Sequence, residues 1–177
     1  VGPADYVRAD LSQPNVGLAV SGEAALLTST TAAAAEAMFA AAGQDGVVMT
    51  LASGYRSYGT QVATYNGYVA ARGQADADTA SARPGYSEHQ TGWSLDIGFG
   101  GGACSFQPCF ADQPAAVWAT AHAHRFGLVV RYAWMLHPIH RCYSAPWPLP
   151  FLLAAPASAL AAPWIGLPAE RLGLDAA

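Results

Sequence analysis

The chain contains no lysine; its eight basic side chains are all arginine, set against twelve acidic residues for a formal charge of −4. Charged residues make up only 11% of it, with no basic run and no interleaved aromatic stripe, which argues against nucleic-acid binding. Uninterrupted apolar runs of membrane-spanning length are also missing. The most apolar stretch, "LPFLLAAPASALAAPWIGLP", is broken by Pro150, Pro156 and Pro163, so no membrane span is expected. Residues 1 to 20 carry Asp5, Arg8 and Asp10 around no apolar core, so no signal peptide is read there. This fits a cytosolic protein or a mature chain that has lost its leader. Cysteine is scarce, with three residues. Cys104 and Cys109 enclose four residues with Pro108 favouring a bend, and read as a local disulfide or as two buried thiols. The disulfide is the expectation and implies an oxidising, extracytoplasmic setting. Cys142 is then a free thiol. Neither spacing nor neighbours suggest a cysteine zinc site.

What is present is ample apolar material. With 177 residues and 53% hydrophobic content, the sequence predicts one globular domain over 1–177. Residues 1–28 have no sustained period and read as an irregular surface wrap. A Ser/Thr start, helix formers and a stop at Gly43 predict a helix over 29–43. The β-branched run at 46–54 predicts a buried strand, and 58–72 a helix ended by Gly73. "GQADADTASARPG" reads as a loop. "TGWSLDIGF" alternates as a strand, with Trp93, Leu95 and Ile97 on one face and Ser94 and Asp96 on the other. A helix follows from an Asp112 cap to Gly127, with Trp118 and Phe126 as core residues and His122 and His124 as packing residues. "GFGGG" reads as a flexible connection, "LVVRYAW" as a strand, and "PAERLGL" as a last helical turn. The class is α+β: a single domain with a small antiparallel sheet flanked by helices, and no repeat.

His89 and Asp96 stand seven residues apart around an apolar, glycine-containing segment. They read either as a loop and strand whose polar residues face water, or as two ligands of one metal ion, since imidazole and carboxylate are common zinc donors. Arg56 follows a strand in a glycine-flanked turn before a helix. It is a surface arginine or a guanidinium placed to grip a carboxylate with two prongs.

The blocks "SGYRSYGTQ", "SARPGYSEHQTGWSLDIG", the pair in "CSFQPCF" and "WATAHAHRFGLVVRY" come in an order and spacing that resemble the zinc-dependent D-alanyl-D-alanine carboxypeptidases of the vancomycin-resistance type. The resemblance runs over about 30–132 and again loosely over "YSAPW" and the tail. It implies a zinc site in a cleft on the sheet, with His89 and Asp96 as ligands. It implies that Arg56 stabilises the oxyanion, Ser87 binds the terminal D-alanine carboxylate and Gln61 lines the same pocket. The implied protein is exported, works as a monomer and removes the last D-alanine of peptidoglycan stem peptides.

The family's closing segment, resembling E-P-W-H, supplies a general base and a third zinc ligand. Here Pro146 and Trp147 align, but Ala145 and Pro148 stand at the functional positions and can do neither job. Either His137, His140 or Glu88 substitutes, or the chain is an inactive relative that binds wall peptides, or compensating reading-frame errors have altered 134–165. The altered reading frame is the favoured explanation, because the disturbed patch is bounded and carries an odd cysteine and clustered prolines. An L,D-specific or endopeptidase variant of the same scaffold is a further alternative.

Overall fold

A computed structural model describes residues 3–131 and 151–154. Strand β1 (Leu11–Ser12) pairs antiparallel with β2 (Leu27–Thr28). Thr28 then caps helix α1 (Ser29–Gln44), its hydroxyl accepting from the Thr31 amide. Thr31, Ala32, Ala35, Met38, Phe39 and Ala42 recur on one face of α1 and are buried. This is the spacing of a helix packed on a core. The helix runs through Gly43, the expected stop, and the chain instead reverses at Gly46 with φ 76°.

Strand β3 (Met49–Ser53) leads through a short turn into α2 (Tyr58–Arg72), which Gly73 ends at φ 82° as expected. The loop predicted after it is a helix over most of its length, α3 (Gln74–Ala80). Its alternating Asp and Ala conceal a single fully buried contact, Ala77, which docks it beside α2.

After a 3-10 turn at Glu88–Thr91 comes β4 (Ser94–Phe99), then a disulfide between Cys104 and Cys109 with Cα atoms 5.5 Å apart. Helix α4 (Pro114–His122) starts with Pro114 where an amide would go unused, and Gln113, not Asp112, is the cap residue. A 3-10 turn (Ala123–Phe126) replaces the last predicted helical turn and ends at Gly127 with φ 72°. Trp118 and Phe126 lie 6.2 Å apart beside the core, as expected.

Strand β5 (Leu128–Arg131) and β6 (Phe151–Ala154) complete a four-stranded antiparallel sheet in the order β3-β4-β6-β5. Strand β6 was not foreseen. Its apolar residues carry no alternation, and they become a strand by filling the slot between β4 and β5. Helices α1 and α4 pack on the sheet face that carries Met49, Leu51, Leu95, Ile97 and Leu128. Residues 11–28 are more than a wrap: Leu27 and Ala25 are fully buried, and Ala19 and Gly17 exchange hydrogen bonds with Leu51.

One irregularity decides the site. Leu51 pairs with Ile97, but Asp96 pairs with Ser53, one residue later along β3 than the Ala52 a regular ladder would give it. This bulge turns Ser53 away from the core face and onto the face of Asp96. Among the described residues no helix is long and apolar enough to cross a membrane. Cys142, His137, His140, Ala145, Pro146, Trp147, Pro148 and the "PAERLGL" turn lie outside the described residues.

Candidate active site

His89 sits in the 3-10 turn that precedes β4, and Asp96 in the middle of β4. The turn closes at Gly92, with φ 70°, where a Cβ would stand 2.9 Å from Leu11 Cδ2. The left-handed backbone is what favours glycine there, since the Leu11 side chain could shift to make room. Both functional side chains are about nine-tenths buried, and His89 Nε2 lies 3.4 Å from Asp96 Oδ2. The solvated-loop reading of these residues is thereby excluded.

The ring's other nitrogen, Nδ1, is 2.6 Å from the Gly54 carbonyl oxygen. A carbonyl can only accept, so Nδ1 carries a proton, and in the neutral ring Nε2 presents its lone pair to Asp96. Two acceptors facing each other in a buried site repel unless a cation lies between them or a proton is taken up. Two ligands of one tetrahedral zinc, each about 2.0–2.1 Å from the metal, stand roughly 3.4 Å apart. The pair fits zinc in donor chemistry, tautomer and separation. Among the described residues no group of three His, Cys, Asp or Glu side chains assembles around it.

Arg56 reaches the same place from the turn between β3 and α2. Its amide donates to the His89 carbonyl at 3.2 Å, which ties the arginine turn to the histidine turn. Arg56 Nη1 donates to Gln61 Oε1 at 3.1 Å, and Nη2 to Ser53 Oγ at 3.3 Å. Gln61, almost fully buried, passes this hold onward: its Nε2 donates to Ser81 Oγ at 3.0 Å and to the Ala82 carbonyl at 2.6 Å. Ser87 is buried two residues before His89 and makes no cap hydrogen bond to the 3-10 turn. Glu88 opens that turn, its carbonyl accepting from Thr91 Oγ1 at 2.7 Å.

Sequence reasoning missed Ser53, Gly54 and the Ser81–Ala82 pair. Gly54 sits against the chain reversal at 22–26, where a Cβ would lie 2.5 Å from the Leu26 carbonyl oxygen and 2.8 Å from that of Ala24. The same reversal is pinned by Glu23, whose carboxylate accepts from the amide and hydroxyl of Ser57 at 3.2 and 3.3 Å. Nearby, burial pushes the Tyr55 phenol up from its ordinary value, and the Glu23 charge adds to the effect. The glycine in "SGYR" was the available signal, but its need for close backbone approach is visible only once 22–26 folds over it.

A family model described as VanY D-alanyl-D-alanine carboxypeptidase matches residues 24–153. The putative carboxypeptidase YodJ of Bacillus subtilis is 30% identical over 152 residues, covering 85% of this chain and 56% of its own length. A D-alanyl-D-alanine carboxypeptidase of Enterococcus faecalis is 34% identical, covering 62% of this chain and 42% of its own length. The chain thus spans about half the length of the curated relatives it matches. Among solved structures, the LdcB LD-carboxypeptidase is 28% identical with a TM-score of 0.77, covering 96% of this chain and 79% of that one. A VanY D,D-pentapeptidase variant in complex with Zn(II) is 27% identical with a TM-score of 0.65, covering 96% of this chain and 91% of that one. VanYB in complex with D-alanine-D-alanine is 26% identical, also with a TM-score of 0.65, covering 98% of this chain and 93% of that one.

Proposed function

The chain belongs to the VanY D-alanyl-D-alanine carboxypeptidase family, and we propose that it is a zinc-dependent D,D-carboxypeptidase removing the terminal D-alanine of peptidoglycan stem peptides. The observation that carries this reading is the separation of 3.4 Å between His89 Nε2 and Asp96 Oδ2. Two buried acceptors at that distance, with the histidine tautomer set by Gly54, suit joint binding of one zinc ion. The Zn(II) and D-alanine-D-alanine complexes of the two VanY neighbours support the metal and the ligand class.

Each residue's role follows from its chemistry. Arg56, already oriented by Ser53 and Gln61, presents its guanidinium to the substrate and stabilises negative charge developing on the scissile carbonyl oxygen. Ser87 donates its hydroxyl to the terminal carboxylate. Gln61 lines the pocket by holding Arg56 against the 81–82 backbone. Zinc, when held by His89 and Asp96, supplies Lewis-acid polarisation of that carbonyl. A third ligand is to be sought outside the described residues, where His137 and His140 lie, and the general base there or at Glu88. An extracytoplasmic, monomeric protein completes the reading, and the Cys104–Cys109 disulfide supports the compartment.

The test is metal analysis beside peptide hydrolysis. The reading expects about one zinc per chain and D-alanine release from a peptide ending in D-Ala-D-Ala, lost with chelator and restored by zinc. Asp96→Ala is expected to lose metal and activity together; zinc retained in that variant sinks the ligand assignment. Peptide binding without zinc or turnover would instead establish the binding module. Release only from a peptide whose last D-alanine follows an L-centre would establish the L,D specificity named for LdcB.

A further inference from the structure

We propose that Tyr65, Asp78 and Arg83 form a positioning clamp that sets where Ser87 stands relative to the fixed Arg56, and with it Ser87's grip on a peptide's terminal carboxylate. The inference rests on the D-alanyl-peptide reading above.

The residues between α3 and the histidine turn carry the geometry. Arg83-Pro84-Gly85-Tyr86 has proline at the second position and glycine at the third with φ 82°, and the Tyr86 amide donates to the Arg83 carbonyl at 2.9 Å. That is a type II turn, stiffened by its proline. Ser87 follows at once, so the placement of Arg83 is transmitted to Ser87 through a stiff element.

Arg83 is held with two prongs. Its Nε donates to Asp78 Oδ1 at 2.7 Å and its Nη2 to Asp78 Oδ2 at 2.6 Å, the fork geometry that fixes orientation as well as distance. Tyr65 donates its hydroxyl to Asp78 Oδ1 at 2.7 Å. Tyr65 stands one turn after Gln61 on the same face of α2, and Gln61 fastens Ser81 and Ala82. A single helix face therefore holds the chain at two points, through Gln61 at 81–82 and through Tyr65 and Asp78 at 83. Arg56 hangs from the same Gln61. Gln61 thus fixes the arginine, and the clamp places the serine.

Magnitudes favour positioning over stability. The Arg83 and Asp78 side chains are 54% and 27% exposed, and an ion pair so open to water contributes little to folding. What a bidentate, tyrosine-backed pair does supply at the surface is a single geometry. Asp78 stays charged throughout the neutral range, because Arg83 first and Tyr65 second hold its carboxyl down at about 2.

The experiment uses the zinc-loaded chain, a pentapeptide ending in D-Ala-D-Ala, and the variants Arg83→Gln, Arg83→Lys and Tyr65→Phe. Arg83→Gln is expected to raise KM, and the Kd measured with metal-free protein, about tenfold while kcat stays within about twofold. Arg83→Lys, which keeps the charge without the fork, recovers only part of that loss. Tyr65→Phe, which deletes one hydroxyl and spares the fold, raises KM about threefold. Zinc content stays unchanged in all three, and backbone amide exchange quickens over 82–88. Unchanged KM with a lowered melting temperature overturns the clamp, as does a fall in kcat at constant KM. A wild-type chain that neither binds nor cleaves the pentapeptide overturns the functional reading instead, and amide exchange then still reports whether the clamp holds the turn.

Discussion

His89 is aimed by a carbonyl oxygen, and that carbonyl belongs to a glycine with no room for a side chain. At Gly54 a methyl group would press on two main-chain oxygens, 2.5 and 2.8 Å away, neither of which can swing aside as a flexible side chain could. Either the 22–26 reversal moves or the Gly54 carbonyl does, and the second outcome turns the His89 ring. Gly54→Ala is therefore expected to weaken zinc binding by about tenfold or more, the usual cost of disturbing a ligand's hydrogen-bond partner. Titration with a competing chelator measures it, and unchanged affinity would show that the carbonyl does not orient the ring. His89, Asp96 and Arg56 were legible as residues, because imidazole, carboxylate and guanidinium in a recognisable order carry their chemistry on their faces. Gly54 and Ser53 were not, because their roles lie in contacts with segments distant in the chain.

Helix α2 has its predicted bounds, whereas α1 runs one residue past its expected glycine stop and α4 starts after Gln113 and ends at His122, well short of Gly127. Elements made by context were missed. Helix α3 depends on one buried alanine, β6 on a slot between two strands, and the β3 bulge on pairing alone. The Asp78 clamp joining α2, α3 and the Arg83 turn has a pH signature. Its folded-state pKa lies below the ordinary value of 3.8, so its stabilisation is fully present above that value and is lost as pH falls toward about 2. Comparing melting temperatures of wild type and Asp78→Asn from about pH 5 to about pH 2 should show the wild type's small advantage shrink toward the acid end of that window. A difference that does not diminish toward the acid end contradicts the assignment. The disulfide closes only a short loop. Replacing Cys104 and Cys109 together by serine is expected to cost about 2 kcal/mol in urea unfolding, and no measurable loss would show that the 104–109 turn is held by its other contacts.

At the scale of the whole molecule, the sheet works with two faces. Leu51, Leu95 and Ile97 bury one face beneath α1 and α4, while Ser53 and Asp96 present polar atoms on the other. The hydrophobic face makes the scaffold stiff, and the polar face spends that stiffness on holding two like-natured acceptors close together. Metal is accordingly expected to stabilise the fold by mass action. Zinc at about a hundred times its Kd should add about 2.7 kcal/mol and raise the melting temperature in wild type, with no such response in Asp96→Ala. Calorimetry over a zinc titration decides it, and an equal response in both proteins would place the metal elsewhere.

By itself the sequence determined the fold class, the presence of three of the helices, the disulfide pair and the identity of the residues with chemistry to offer. Those follow from local rules, in which side-chain type and near neighbours suffice. Only the tertiary structure decided that Asp96 and Ser53 share a face, that Gly54 sets the histidine tautomer, and that an exposed arginine twenty-seven positions after Arg56 is joined to it through Gln61 and α2. The reason is physical: a one-residue slip in strand pairing and the close approach of two backbones are properties of packed segments, which no single stretch of chain contains.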